Sequence, residues 1–239
     1  AGAKVGYVDF RTFISTANAE LDLVFAQFES QHVSALIVDL RYNGGGLVST
    51  AEQLANLIGG IIANDQVLSE TLFNSAKSAF NSIEPFAQLS GSLSLLQQVV
   101  FITTGSSASA SELVINALLP HTVVTLVGSD TFGKPVGQSG FPYCNDELLF
   151  RPVTFETVNA LREGQYFDGL GVRCAATDEL QFALGDREEA SLAAALGYIE
   201  TGMCASSALQ SKPSAPVARH QDLLREPGAP AAQRLLGAY

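Results

Sequence analysis

Apolar and polar residues alternate over Val5 to Phe10, the pattern of a half-buried strand. Leu21, Val24, Phe25 and Phe28 then recur at helical spacing and predict a helix over Thr16 to Ser30. Ala35 to Leu40 (ALIVDL) is an almost unbroken apolar run of the kind found in strands covered on both faces. It ends in Arg41-Tyr42-Asn43-Gly44-Gly45-Gly46, after which Leu54, Ala55, Leu57 and Ile58 mark a second helix. Gly59 to Ser92 loses this rhythm and is expected to hold a short strand and an excursion over the sheet. Regular patterning resumes with a strand at Val99 to Thr103, a helix from Ser109 to Leu118 that Pro120 cannot continue, and a strand at Val123 to Val127. Strand and helix in strict alternation predict βαβ units, and hence an α/β fold with a largely parallel sheet.

Beyond Gln138 the texture turns to Gly, Pro, Cys, Asn and Asp, followed by a longer strand-like run from Leu148 to Val158. Asp186 to Ile199 reads as a helix with Leu192, Ala195, Leu196 and Ile199 on one face and Asp186 as its N-cap. From Ala205 onward small residues, prolines and polar groups dominate. The pattern therefore divides the chain into a domain over residues 1–204 and a weakly packed extension over 205–239. No internal repeat is present.

Of the 239 residues, 47% are hydrophobic and 15% charged, enough apolar content for a large core. The net charge of -11 argues against a nucleic-acid partner, since no basic surface is expected that would displace counterions from phosphate. No apolar stretch is long enough to cross a bilayer. The start, AGAKVGYVDF, has neither the charged head nor the apolar middle of a signal peptide and reads as a domain boundary. Three cysteines, Cys144, Cys174 and Cys204, cannot all pair within one chain. Cys144 and Cys174 flank the run from Leu148 to Val158, so they are the expected bridge, with Cys204 free or paired between chains. A bridge would imply an oxidising compartment.

The stretch from Val99 to Gln138 concentrates the candidate chemistry. A nucleophilic serine needs a base within hydrogen-bond reach and donors for the oxyanion, and the free N–H groups of a helix start supply such donors. Ser106, Ser107, Ser109 and Ser111 all sit at that start, where serine is also a common helix cap. None of the three histidines, His32, His121 and His220, lies in a triad-like setting. Of four lysines, Lys134 alone stands in a glycine-rich, weakly polar context (Thr131-Phe132-Gly133-Lys134-Pro135-Val136-Gly137). Desolvation there would lower its pKa and make a neutral amine base possible; a solvated turn lysine is the competing reading.

Taken together, Ile37-Val38-Asp39-Leu40-Arg41-Tyr42-Asn43-Gly44-Gly45-Gly46-Leu47, Ser107-Ala108-Ser109-Ala110-Ser111-Glu112, and Leu126-Val127-Gly128 with Thr131-Phe132-Gly133-Lys134 and Gln138 resemble the C-terminal processing (tail-specific) proteases, the S41 serine peptidases. The three blocks stand in the family's order, and the resemblance spans Val5 to Ile199. It implies a ClpP/crotonase-like spiral of βαβ units with a mixed sheet. It implies Ser109 as nucleophile, with Lys134 as base at the family's spacing of 25 positions and Gln138 as its orienter. It further implies an oxyanion hole from the Ala110 N–H and one from the glycine loop, Gly45 first and Gly46 next to it. Tyr42 and Gly44 replace the asparagine and proline of many relatives. Relatives usually carry a PDZ-like domain before such a core, and no segment of this sequence is long enough to be one.

The implied reaction is hydrolysis of unfolded or C-terminally exposed polypeptides through an acyl-enzyme. No metal or organic cofactor is called for, export to the periplasm or cell envelope is expected, and the oligomeric state stays open. Two other readings stand beside it. One is an S41-like binding module for an apolar ligand that has lost proteolysis. The other is an acyl-CoA enzyme of the crotonase type.

Overall fold

A computed structural model of the chain describes residues 4–145 and 147–204. The first half follows the alternation of its sequence: β1 (Val5–Asp9), α1 (Ala17–Ser30), β2 (Ala35–Asp39) and α2 (Val48–Gly59). Next come β3 (Val67–Phe73), a 3-10 turn over Ser75–Phe80, β4 (Ser82–Pro85), β5 (Gln98–Thr103), α3 (Ala110–Leu118) and β6 (Val123–Gly128). The second half contains β7 (Val136–Gln138), β8 (Phe141–Tyr143), β9 (Leu148–Phe150), β10 (Val153–Val158), β11 (Cys174–Ala175) and α4 (Ala190–Thr201). The extension over 205–239 lies outside the described residues.

Five strands in the order β1-β2-β5-β6-β11 make a parallel sheet. Every residue of β2 is buried, and its alternation feeds two layers. Leu36 and Val38 join the cluster built on Leu54, Leu57, Leu113 and Val114 of α2 and α3. Ala35 and Ile37 face the other way, into the cluster of Val100, Ile102, Leu192, Ala195 and Ile199, where α4 covers the sheet. Truncating a fully buried residue such as Leu57 to alanine would cost about 2–5 kcal/mol. This burial fixes the C-terminal ends of β2, β5 and β6, from which the candidate site is built.

Three local expectations change. The irregular stretch Gly59 to Ser92 contains two strands, and β4-β3-β10-β7 form a separate antiparallel sheet. Antiparallel pairing thus lies outside the parallel sheet. The run Leu148 to Val158 is broken before β10 at Arg151-Pro152: β9 pairs only with β8, while β10 pairs with β3 and β7. Proline has no N–H to donate to a ladder, which suits that break. Helix α4 is capped by Glu189, whose carboxylate accepts from the N–H groups of Ser191 and Leu192, rather than by Asp186.

The disulfide differs too. Cys174 pairs with Cys204, across 30 residues, and ties β11 to the end of α4; Cys144 is free and exposed in the β8–β9 turn. The expected Cys144–Cys174 bridge presupposed one strand between them, and the break at Pro152 removes that premise. Closing a loop of this length is worth roughly 3–4 kcal/mol through restriction of the unfolded chain. Reduction, or Cys174→Ser, is therefore expected to lower the melting temperature by several degrees; unchanged unfolding curves with and without reductant would contradict the pairing.

Candidate active site

The four serines after β5 are sorted by what their hydroxyls do. Ser107 is buried and donates to the Leu40 carbonyl at 2.7 Å, and Ser111, also buried, donates to the Asn43 carbonyl at 2.8 Å. Both stitch the helix start to the loop after β2. Ser106 is exposed. Ser109 is half-buried and stands at the N-cap of α3 with φ 57° and ψ -112°, backbone that a non-glycine residue rarely adopts. Such strain costs on the order of 1–3 kcal/mol and persists where surrounding contacts enforce it, as at the sharp turns that display catalytic serines.

The glycine loop lies against this turn. Gly45 has φ +101°, and a Cβ there would fall 2.8 Å from both the Ala108 carbonyl oxygen and the Ala110 nitrogen, and 2.9 Å from Ser109 Cβ. Only glycine admits this approach. The Ala110 N–H, first in α3, belongs to the set without intrahelical acceptors. Asn43 holds the loop: its Nδ2 donates to the Phe10 carbonyl at 2.7 Å, and its Oδ1 accepts the Gly45 N–H at 2.9 Å. Gly45 N–H therefore faces Asn43 in this state. Gly46, at φ +143°, packs against the backbone of Phe13 and serves that contact.

Behind the loop, Arg41 is buried and bonded to Asp39 at 2.7 Å, Glu189 at 2.8 Å and Asp178 at 3.0 Å. Glu189 is the cap of α4, so the guanidinium joins that helix to the end of β2. Removing one partner from such a buried cluster leaves charge uncompensated, so the cluster fixes where the glycine loop begins. The Tyr7 hydroxyl donates to Asp39 at 2.9 Å; its own burial, and then the Asp39 charge, push the phenol well above its ordinary range.

Lys134 is half-buried in the turn after β6, and burial lowers its pKa, with Glu112 pulling the other way. Sequence reasoning gave Glu112 no role, although its place three residues after a helix-start serine is the spacing of a capping box. It is fully buried. Its Oε1 accepts from Thr131 Oγ1 at 2.6 Å and Gly133 N–H at 2.7 Å, and its Oε2 from the N–H groups of Ser109 and Lys134, each at 2.8 Å. One carboxylate thus joins the serine turn to the lysine turn. Ser109 Oγ and Lys134 Nζ are not hydrogen-bonded to each other here, and the Gln138 amide, on β7, makes no bond to Lys134. Among the described residues no group of three or more His, Cys, Asp or Glu could hold a metal ion.

Comparison with known proteins gives a consistent result. The model of the family described as Peptidase family S41 matches residues 4–173. The chain is 33% identical over 137 residues to carboxyl-terminal-processing peptidase 3 of Arabidopsis thaliana, covering 57% of this chain and 25% of that one. It is 31% identical over 140 residues to a carboxyl-terminal-processing protease of Synechocystis, covering 59% and 30%. The chain thus spans between a quarter and a third of the length of these curated relatives. Among solved structures, a Bacteroides fragilis protein assigned to the S41 proteases matches 83% of this chain and 54% of its own, with TM-score 0.76 and 27% identity. The photosystem II D1 C-terminal processing protease shares the fold, with TM-score 0.58 and 22% identity over 72% of this chain and 42% of its own.

Proposed function

The chain belongs to peptidase family S41, and from that membership we propose that it is a serine endopeptidase in which Ser109 and Lys134 act as nucleophile and base on unfolded or C-terminally exposed polypeptides. The observation that carries this reading is the Glu112 carboxylate, which holds the Ser109 and Lys134 peptides on a single oxygen, Oε2. Strain at Ser109 and burial of Lys134 support it, since the first displays a hydroxyl and the second favours a neutral amine.

In the proposed reaction neutral Lys134 Nζ takes the Ser109 hydroxyl proton as Oγ bonds to the scissile carbonyl carbon. The carbonyl electron pair moves to oxygen, where the Ala110 N–H and one from Gly45 receive it. For Gly45 this requires its N–H to turn from Asn43 Oδ1 toward the substrate, so the arrangement described is a resting one. The Lys134 ammonium then protonates the leaving amine as the C–N bond breaks. Water, deprotonated by the same amine, bonds to the acyl carbon; the bond to Ser109 Oγ then breaks, and the Lys134 ammonium returns its proton to Oγ.

The Cys174–Cys204 bridge supports export to an oxidising compartment such as the periplasm or cell envelope. No helix among the described residues is long and apolar enough to cross a membrane.

A fluorophosphonate tests the assignment directly. It should form one adduct, located by peptide mass mapping at Ser109, and the rate should rise with pH through a group titrating below the ordinary lysine range. Labelling at another serine, or a profile that follows a histidine-like group and ignores substitution of Lys134, would refute it. No labelling at all would favour the binding-module reading.

A further inference from the structure

A lysine that serves as base must be held with its lone pair toward the serine, and most groups around Lys134 are already committed. Each Glu112 oxygen accepts two hydrogen bonds, which leaves it no room for the amine. Thr131 Oγ1 donates to Glu112 and accepts from the Leu170 N–H at 2.7 Å. Gln138 makes no hydrogen bond to the lysine. One polar atom close by is buried and has no partner: the hydroxyl of Tyr166.

Tyr166 opens the turn closed by the Gly169 N–H donating to its carbonyl at 2.9 Å, and this turn packs on the lysine turn. Thr131 N–H donates to the Leu170 carbonyl at 3.2 Å, and Gly133 lies so close to Phe167 and Gly169 that a Cβ would overlap their backbone. Two side chains act on the hydroxyl, Glu112 by its charge and Thr157 of β10 through a polar contact too loose to count as a hydrogen bond. Those same residues hold the peptide on either side of Lys134: Glu112 takes the Lys134 N–H, and Thr157 N–H donates to the Pro135 carbonyl at 3.0 Å. The hydroxyl is therefore placed beside the lysine turn. An unpartnered buried hydroxyl in a native fold calls for a reason, and an amine without a fixed partner next to it supplies one.

We propose that the Tyr166 hydroxyl is a positioning group for the base, accepting one N–H of the Lys134 amine once substrate fills the site, so that the lone pair points at Ser109 Oγ. This rests on Lys134 being the base. A neutral oxygen suits the task, because a second carboxylate would favour the ammonium and weaken the base. Of the titratable groups on these elements, Glu112 acts on the amine from α3; the turn at 166–169 carries Tyr166 and Asp168, and β10 carries Glu156, which accepts from Gln165 at 3.2 Å, beside Thr157, which does not titrate.

The test is Tyr166→Phe, which keeps the ring and removes only the unpartnered hydroxyl. Turnover of an unfolded protein substrate is expected to fall about tenfold to a hundredfold, with KM little changed, because the base loses orientation while substrate contacts remain. Loss of an acceptor for the ammonium also lowers the lysine pKa, so the ascending limb of kcat should move to lower pH. A purely structural tyrosine predicts unchanged turnover, an unmoved limb and equal or higher thermal stability; that result overturns the proposal. Should Tyr166→Phe fail to fold, Tyr166→His, which restores a ring-nitrogen acceptor, is read in its place. It should then retain more turnover than Tyr166→Ala, and equal loss in both would count against the proposal. Lys134→Met separates the two levels: full activity there sinks the base assignment and this inference with it, whereas an inactive Lys134→Met beside a silent Tyr166→Phe sinks the inference alone.

Discussion

Ser109→Ala and Lys134→Met are each expected to lower peptide-bond turnover at least a thousandfold while leaving the fold intact, because in the proposed reaction each removes a group that forms or breaks bonds in every cycle. The stability half of this expectation follows from how the site is held. Glu112 reaches Ser109 through the main-chain N–H, so losing Oγ leaves that bond untouched. Lys134 is likewise held by its backbone N–H, and burial disfavours its ammonium. Methionine keeps most of the stem and carries no charge to desolvate, so Lys134→Met should melt at the same temperature or higher. An inactive variant that is as stable as the parent cannot be explained by unfolding. Rates on a denatured protein together with thermal melts check this, and turnover above about a tenth of the parental rate in either variant would remove that residue from the chemistry.

The parallel sheet was readable because its strands carry their address locally. ALIVDL is apolar on both faces, and both faces are indeed covered, by α2 and α3 on one side and α4 on the other. Helix α3 and the glycine loop were readable for the same reason, their signals lying within a few residues. The antiparallel sheet was not. Its strands come from Val67–Phe73, Ser82–Pro85, Val136–Gln138 and Val153–Val158; they are partly or wholly exposed, and the sheet forms only when β10 reaches back to pair with β3. Glu112 stayed hidden because its motif position reads as a helix cap; its donors at Thr131 and Gly133 lie about twenty residues on. The disulfide failed for a related reason, since pairing depends on where α4 ends, and sequence distance between cysteines does not carry that. The resemblance to the S41 family nominates Ser109 among four serines, but only the structure shows what occupies Ser107 and Ser111.

Glu112→Gln, although it changes so little of the side chain, should damage both activity and stability. All four groups around the carboxylate are donors, two on each oxygen. An amide has one oxygen and one NH2, so whichever way it turns, its donor side meets two donors and they lose their acceptor. With Oε1 replaced, the Thr131 hydroxyl can rotate but the Gly133 N–H cannot; with Oε2 replaced, the Ser109 and Lys134 N–H groups are orphaned together. At about 1–3 kcal/mol for each buried donor left unpaired, the loss is roughly 1–3 kcal/mol in the first orientation and roughly 2–6 kcal/mol in the second. In the second the serine turn also loses its brace, and Ser109 sits in backbone that relaxes when unsupported. Misplacing the nucleophile by an ångström should cost at least about a hundredfold in turnover. Loss of the negative charge acts on the base as well: Glu112 raises the Lys134 pKa, so its removal should carry the ascending limb of any residual activity to lower pH. Melting curves and a pH–rate profile of Glu112→Gln test all three effects. Parental stability and turnover would mean that the two turns are held together by something other than this carboxylate.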